Sequence, residues 1–373
     1  MNNLCTPFRY DHVGSFLRPE KLKAARAAFE AGTVAAGELK AVEDECITEL
    51  AGKLKAAGYH VITDGEFRRS TWHLDFMWGF HGVGHHKTGT GLPFHGEQAM
   101  IDDTYLTGKV YVDAHPFVEH FRFLKQFEDE HTVAKQTIPA PAQFLEQMIM
   151  PFAAENTARF YSDHEELILD IAKGYQKVIA DLYAAGCRNI QFDDCSWGML
   201  VDPRAEKFFD TDEAGLERVM EQMLHINNLA IEGKPEDLVI STHVCRGNFH
   251  STYASSGSYD RVAKTLFAGE NVDAYYLEYD DVRSGGFAPL TYVSRSKKVV
   301  LGLITTKSPE LEDKDAVIAR ICEAAKYVPL DRLCLSPQCG FASCEIGNKL
   351  SEDEQWAKLE LVKEIAGEVW GSD

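Results

Sequence analysis

The 373-residue chain has no uninterrupted apolar run near the roughly 20 residues that a membrane-crossing helix needs, which argues against a membrane partner. Its first residues, MNNLCTPFRYDHVG, lack a basic stretch followed by an apolar core, so no secretory leader is expected. Positive charge is scarce: 38 Lys and Arg stand against 58 Asp and Glu, a net charge of −20. A surface that acidic repels phosphate backbones and anionic lipid head groups, so nucleic acid is not an expected partner. The nine cysteines are odd in number and lack the close spacing of a disulfide scaffold. A reduced, cytoplasmic protein is therefore expected. No G-x-G-x-x-G follows the first strand, which disfavours an open dinucleotide-binding sheet. Repeats, low-complexity tracts and linkers are also missing, so residues 1–373 are read as one domain.

What is present is an alternation. β-rich runs occur at 8–16, 60–67, 132–141, 188–194, 237–245, 273–280, 298–306 and 332–340. Amphipathic stretches lie between them, such as 38–58 and 165–186, the second closed by a glycine. Strands alternating with helices imply parallel βαβ units, and eight of them close most simply as a (β/α)8 (TIM) barrel of the α/β class. Such barrels use about 250 residues, leaving roughly 120 here for additions. An N-terminal helical segment (19–58) takes some. An elaborated, partly mobile loop after the second strand, at 82–130, takes more.

Chemistry in such barrels sits at the C-terminal ends of the strands. The fifth strand ends in STHVCRG, placing His243 and Cys245 on one face because side chains alternate. The sixth ends in LEYDD with Glu278, and the eighth in SPQCG with Cys339. Singly, each reads as a small buried hydrophobe, a satisfied core histidine or a rim carboxylate; together they suit tetrahedral Zn²⁺, which thiolates select over Mg²⁺ and Ca²⁺. Two cysteinates and a glutamate give zinc a formal charge of −1, which keeps a bound sulfur nucleophilic and favours a thiol substrate over hydrolysis. Backbone and hydroxyl donors at Gly14 and Ser15 can receive a carboxylate, and Glu66 and Asp193 can receive an ammonium.

The pattern resembles the catalytic C-terminal half of cobalamin-independent methionine synthase, and more closely its short single-barrel relatives. HVGSF, DGE at 64–66, IQFDD at 190–194, THVC, YYLEYD and SPQCG carry the resemblance, in order, over essentially the whole chain. It implies zinc on His243, Cys245, Glu278 and Cys339, homocysteine against Val13, Gly14, Ser15, Glu66 and Asp193, and methionine as product. Asp193 and Lys307 are the residues expected to take part in the chemistry.

There are departures. The barrel that precedes the catalytic one in the full-length synthase is not in this chain. Lys307 in ITTKSPE stands where the family has a proton-donating histidine, and DDCSW replaces an Asp-Glu-Pro-Ala run. The methyl donor is therefore left open among a methylfolate, a methylcorrinoid and a small S-methyl compound. Zinc-dependent alkylation of a coenzyme M-like thiol is an alternative, although Glu66 and Asp193 would oppose its sulfonate. A hydrolase using Asp193 or Asp194 as base, and a metal-free barrel with His243 and Cys245 in the core, are others. His12, Trp72 and Trp197 are weaker candidates; Cys334 and Cys344 read as filler, and adjacent His85 and His86 point apart. The sequence leaves a homo-oligomer open.

Overall fold

The structure is a computed structural model that describes residues 4–89 and 91–371; residue 90, inside the insertion expected at 82–130, lies outside the described residues. Its strands are β1 (Val61–Ile62), β2 (His81–His86), β3 (Leu92–Pro93), β4 (Gln98–Ala99), β5 (Asp103–Tyr111) and β6 (Val133–Ala134). They continue with β7 (Gln136–Pro139), β8 (Asn189–Asp194), β9 (Val239–Val244), β10 (Ala274–Glu278), β11 (Lys298–Ile304) and β12 (Leu333–Pro337). From β7 to β12 each strand pairs in parallel with the next in chain order. β6 continues that ring by pairing with β1, and the segment from Tyr10 to Ser15 closes it through parallel bridges to Leu335 and Gly65. The expected barrel is what forms.

Its first two staves are thinner than expected. The strand read over 8–16 is reduced to two isolated bridges. The Asp11 carboxylate accepts the N–H groups of His12 (2.7 Å) and Phe8 (3.4 Å), donors that a ladder would otherwise use. Gly14 sits at φ +142, where an added Cβ would come within 2.7 Å of Thr137 Cγ2. The stretch at 60–67 shortens to two paired residues because the chain turns through left-handed Gly65 and Glu66, at φ 65 and 61.

The helices follow their sequence signals. Glu20–Glu30 and Ala36–Ala56 fill the N-terminal segment. His164–Ala184 starts where Asp163 accepts the N–H groups of Glu165 and Glu166, and it buries a face from Leu167 to Leu182. Gly186, at φ 97, ends it, with the Cys187 N–H returning to the Leu182 carbonyl at 2.9 Å. Among the described residues no helix is long and apolar enough to cross a membrane.

The insertion is folded rather than a plain loop. β2 and β5 form an antiparallel hairpin, β3 and β4 a smaller one, and the helix Pro116–Lys125 follows. The turn between β3 and β4 docks on the loop after β9. There the His95 N–H meets the Tyr253 carbonyl at 2.9 Å, and Glu97 binds His250 (2.7 Å) and Lys349 (2.6 Å).

Inside the barrel, Lys135 sits fully buried between β6 and β7. Its ammonium donates to Asp11 (3.1 Å), Gln191 (2.9 Å) and the His12 carbonyl (2.5 Å). One cation thus ties the weakly paired first stave to its neighbours. Removing one partner of such a pair strands a buried charge. Lys135→Met should cost about 3–5 kcal/mol in urea unfolding, and adding Asp11→Asn should recover part of that loss.

Candidate metal centre and adjoining pocket

Register assembles the centre. Asp193 lies opposite His243 across β8 and β9, and His243 lies opposite Tyr276 of β10. Two residues further along, where side chains return to the same face, come Cys245 and Glu278. The Cys245 N–H extends the ladder by donating to the Asp194 carbonyl at 2.9 Å. Cys339 arrives from the turn after β12, which the Gln338 N–H ties to the Ile304 carbonyl at 2.8 Å. One donor atom each from His243, Cys245, Glu278 and Cys339 lie within 4.8 Å of one another, and all four residues are buried.

The geometry of these donors fits zinc. Two Zn–S bonds of about 2.3 Å at a tetrahedral angle hold their sulfurs about 3.8 Å apart. The Cys245 and Cys339 sulfurs are 3.8 Å apart, far beyond disulfide length. Asp193 Oδ1 meets His243 Nδ1 at 3.1 Å, which leaves Nε2, now 3.2 Å from the Gln338 carbonyl, as the nitrogen for a metal. The carboxylate of Glu278 is oriented from both sides: its Oε1 accepts the Arg246 N–H at 2.9 Å and its Oε2 accepts Arg283 at 3.0 Å.

Charge makes the same point. Burial would lower the His243 pKa, but the Asp193 hydrogen bond and the nearby Cys339 and Glu278 push it up to about 9. Burial would raise Glu278, yet Lys307, Arg283 and His243 hold it below its ordinary value. The Cys245 thiol is pushed well up by its hydrogen bond with Cys195 and by burial, and Cys339 by its hydrogen bond with Cys245 and by burial. Several anion-forming donors packed out of water call for a cation.

Beside the donors lies a cavity of about 330 Å³, including its open mouth. Val13, Ser15, Glu66, Asp193, His243, Cys245 and Cys339 line it, so most of the residues expected at the site converge there. Glu66 Oε1 is held by Arg69 (3.2 Å) and Thr137 (3.1 Å), while the buried Oε2 has no hydrogen-bond partner. Glu66 also adopts a left-handed conformation that non-glycine residues seldom take. Burial, opposed by Arg69 and reinforced by Asp193, pushes its carboxyl up to about 7.

Three expected residues are not in the cavity wall. Gly14 presents its carbonyl to Thr63 at 2.7 Å. Glu278 stands behind the wall, and the Lys307 ammonium is buried near Glu278 and Asp280 with no hydrogen-bond partner.

Of the weaker candidates, Trp72 lines the cavity, whereas Trp197 is core. His12 is buried against the Val61 carbonyl at 3.1 Å, and burial lowers its pKa to about 4. His85 and His86 pair separately with Asp102 and Asp103 on the insertion. Cys334 packs in the small core with Val13, Tyr276 and Val300, and Cys344 is partly buried. Asp194 is buried against Ser196 and Asn227 rather than exposed at the rim.

Sequence reasoning missed Asn248 and Ser343 in the cavity wall, and Cys195, which follows β8 at the start of the helix Ser196–Val201. It also missed Arg283, the clamp on Glu278. Only Cys195 left a signal: it stands two residues after Asp193, as Cys245 does after His243.

Comparison with known proteins gives a consistent picture. The profile of a family described as "Cobalamin-independent synthase, Catalytic domain" matches residues 151–367. The "Uncharacterized protein YxjH" of Bacillus subtilis (strain 168) is 44% identical over 365 residues, covering 98% of this chain and 95% of that protein. A "Methionine synthase" of Pyrococcus abyssi is 23% identical over 88% of this chain and 84% of its own length. A crystal structure of a putative vitamin-B12 independent methionine synthase from Listeria monocytogenes superposes with a TM-score of 0.78 at 39% identity, covering 99% of this chain and 100% of that one. A B12-independent methionine synthase from Shewanella sp. W3-18-1, solved in complex with selenomethionine, shares the fold at a TM-score of 0.70 and 20% identity, over 98% of both chains.

The raised Glu66 pKa has a consequence for stability. The folded protein keeps a proton that the unfolded chain releases near 4.5, so stability falls as pH rises from about 4.5 to about 7. Glu66→Gln should flatten that decline, by at most about 1.4 kcal/mol per pH unit, in unfolding midpoints taken across the window.

Proposed function

The chain belongs to the cobalamin-independent methionine synthase family of methyltransferases, and on that premise we propose that it methylates the sulfur of homocysteine to give methionine, using zinc held by His243, Cys245, Glu278 and Cys339. The convergence of those four donors is the observation that carries the reading. When bound, the ion supplies Lewis acidity that keeps an incoming thiol ionised at neutral pH. We take residues 1–373 as one catalytic domain in the cytoplasm; in support of the single domain, one apolar core runs from Phe16 to Ile365.

The residues around the donors divide the work. Asp193 accepts from His243 Nδ1, which fixes the imidazole tautomer and orients its other nitrogen. The unpartnered Glu66 Oε2, with Asp193 beside it, receives the ammonium of the amino acid. Val13 and Ser15 also line the cavity, with Gly14 between them in the chain, and there Ser15 and backbone N–H groups receive the carboxylate. Two carboxylates on one side of a small cavity favour an amino-acid thiol over a sulfonate-bearing one. A selenomethionine complex in a protein of the same fold agrees with a ligand of that size.

Lys307 is the residue assigned to the methyl donor. Its buried, unpartnered ammonium can neutralise or protonate the group that leaves when the methyl is transferred. The donor is a methylfolate, a methylcorrinoid or a small S-methyl compound. Supplying each to zinc-loaded protein with homocysteine, and following methionine, identifies it.

Cys245→Ser and Cys339→Ser should each lose stoichiometric zinc and methionine formation, while Cys334→Ser keeps both. Asp193→Ala should weaken zinc binding by about 10–100-fold. Full activity in either ligand variant would refute the proposal. Lys307→Met should retain zinc and the KM for homocysteine while kcat falls.

A further inference from the structure

The first stave of the barrel is held largely by side chains. Between its bridges at Tyr10 and Ser15, three successive carbonyls each accept a side-chain donor. The His12 carbonyl takes Lys135 Nζ at 2.5 Å, the Val13 carbonyl takes Gln191 Nε2 at 2.8 Å, and the Gly14 carbonyl takes Thr63 Oγ1 at 2.7 Å. Gln191 also reaches the residue that orients His243: its Nε2 donates to Asp193 Oδ1 at 2.8 Å. The same oxygen accepts His243 Nδ1 at 3.1 Å, so both contacts fall on Oδ1. The other carboxylate oxygen is left for the cavity that Asp193 lines.

The position is selective for glutamine. Gln191 and Asp193 are two apart on β8, so both face the barrel interior. Gln191 is fully buried, and its Oε1 accepts Lys135 Nζ at 2.9 Å. An ammonium only donates, whereas a carbonyl and an ionised carboxylate only accept. The amide is therefore fixed in one orientation, its two N–H protons divided between Val13 and Asp193. Glutamate has the oxygen without the N–H donors, methionine has neither, and asparagine is one methylene shorter.

We propose that Gln191 is a positioning residue that sets the spacing between the cavity wall at Val13 and the Asp193–His243 pair. Through Val13 it holds the chain that carries Ser15, and through Asp193 it holds the imidazole that meets the metal. One amide thus joins the place of the substrate's carboxylate to the place of its sulfur. This role rests on the function proposed above.

The test compares Gln191→Met, of similar volume, with the parent protein. Zinc affinity is read by competition with a chromogenic chelator, and methionine affinity by calorimetry on zinc-free protein. Gln191→Met should weaken zinc binding about 10-fold and methionine binding about fivefold. In zinc-loaded protein the His243 Nδ1–H resonance in NMR spectra should broaden as its acceptor loosens. The decisive arm repeats the substitution in Asp193→Ala. There Gln191→Met should change zinc affinity by less than about twofold, although it still lowers the urea midpoint. A side chain that merely fills the core would give the same zinc loss in both backgrounds, and that result would overturn the proposal. Parental affinity for both ligands in Gln191→Met would overturn it too. Should Gln191→Met not fold, Gln191→Glu carries the same expectations, because it keeps the Lys135 contact and loses the N–H donors. A parent protein that binds methionine but no zinc refutes the ligand set alone, and the methionine arm then decides the role of Gln191. A parent protein that binds neither refutes the proposed function and this role together.

Discussion

Alternate residues of a strand share a face, and the whole site depends on that. A parallel ladder sets Asp193 beside His243, and one further step brings Cys245 and Glu278 to the same inner wall. A one-residue slip of β9 would turn both His243 and Cys245 away from the barrel axis. The ring of strands is thus the ruler that spaces four donors to within 4.8 Å. Cys245 and Cys339 are both buried; the Cys245 N–H bonds the Asp194 carbonyl, and the Gln338 N–H, next to Cys339, bonds the Ile304 carbonyl.

Around that fixed set the protein places its cations with restraint. Arg283 and Lys307 bear on Glu278, and Arg69 holds one oxygen of Glu66 while leaving the other open. The left-handed backbone at Glu66 comes directly after Gly65, whose neighbour in the first stave is Ser15. A strained turn and a bridge therefore bring Glu66 and Ser15, both in the cavity wall, into one unit. The insertion adds a roof: Glu97 links it to His250 on the loop after β9 and to Lys349 beyond β12. The loop that bears Cys245 is thereby tied to two other parts of the barrel rim.

Much of this was legible because it follows from local periodicity. The i, i+2 spacing of His243 and Cys245 and the apolar face of His164–Ala184 need no tertiary information. Other features depend on partners distant in sequence. The polar stretch 8–16 looks like a strand, but Asp11 diverts its donors and Gly14 leaves the strand conformation. β2 and β5 carry glycine and histidine in place of clean apolar alternation, so their pairing is hidden until the chain folds. Asn248 and Ser343 reach the cavity from irregular loops, where no period indicates direction. Cys195 escaped notice because β8 ends one residue before it and the chain there already takes the helical conformation that opens Ser196–Val201.

The claim that these donors exist to activate a thiol is tested most directly by X-ray absorption at the zinc edge of the loaded protein, with and without homocysteine. The account predicts two sulfur neighbours at about 2.3 Å in the free protein and a third when homocysteine is added. An unchanged sulfur count, with an oxygen neighbour retained in the presence of the thiol, would contradict it.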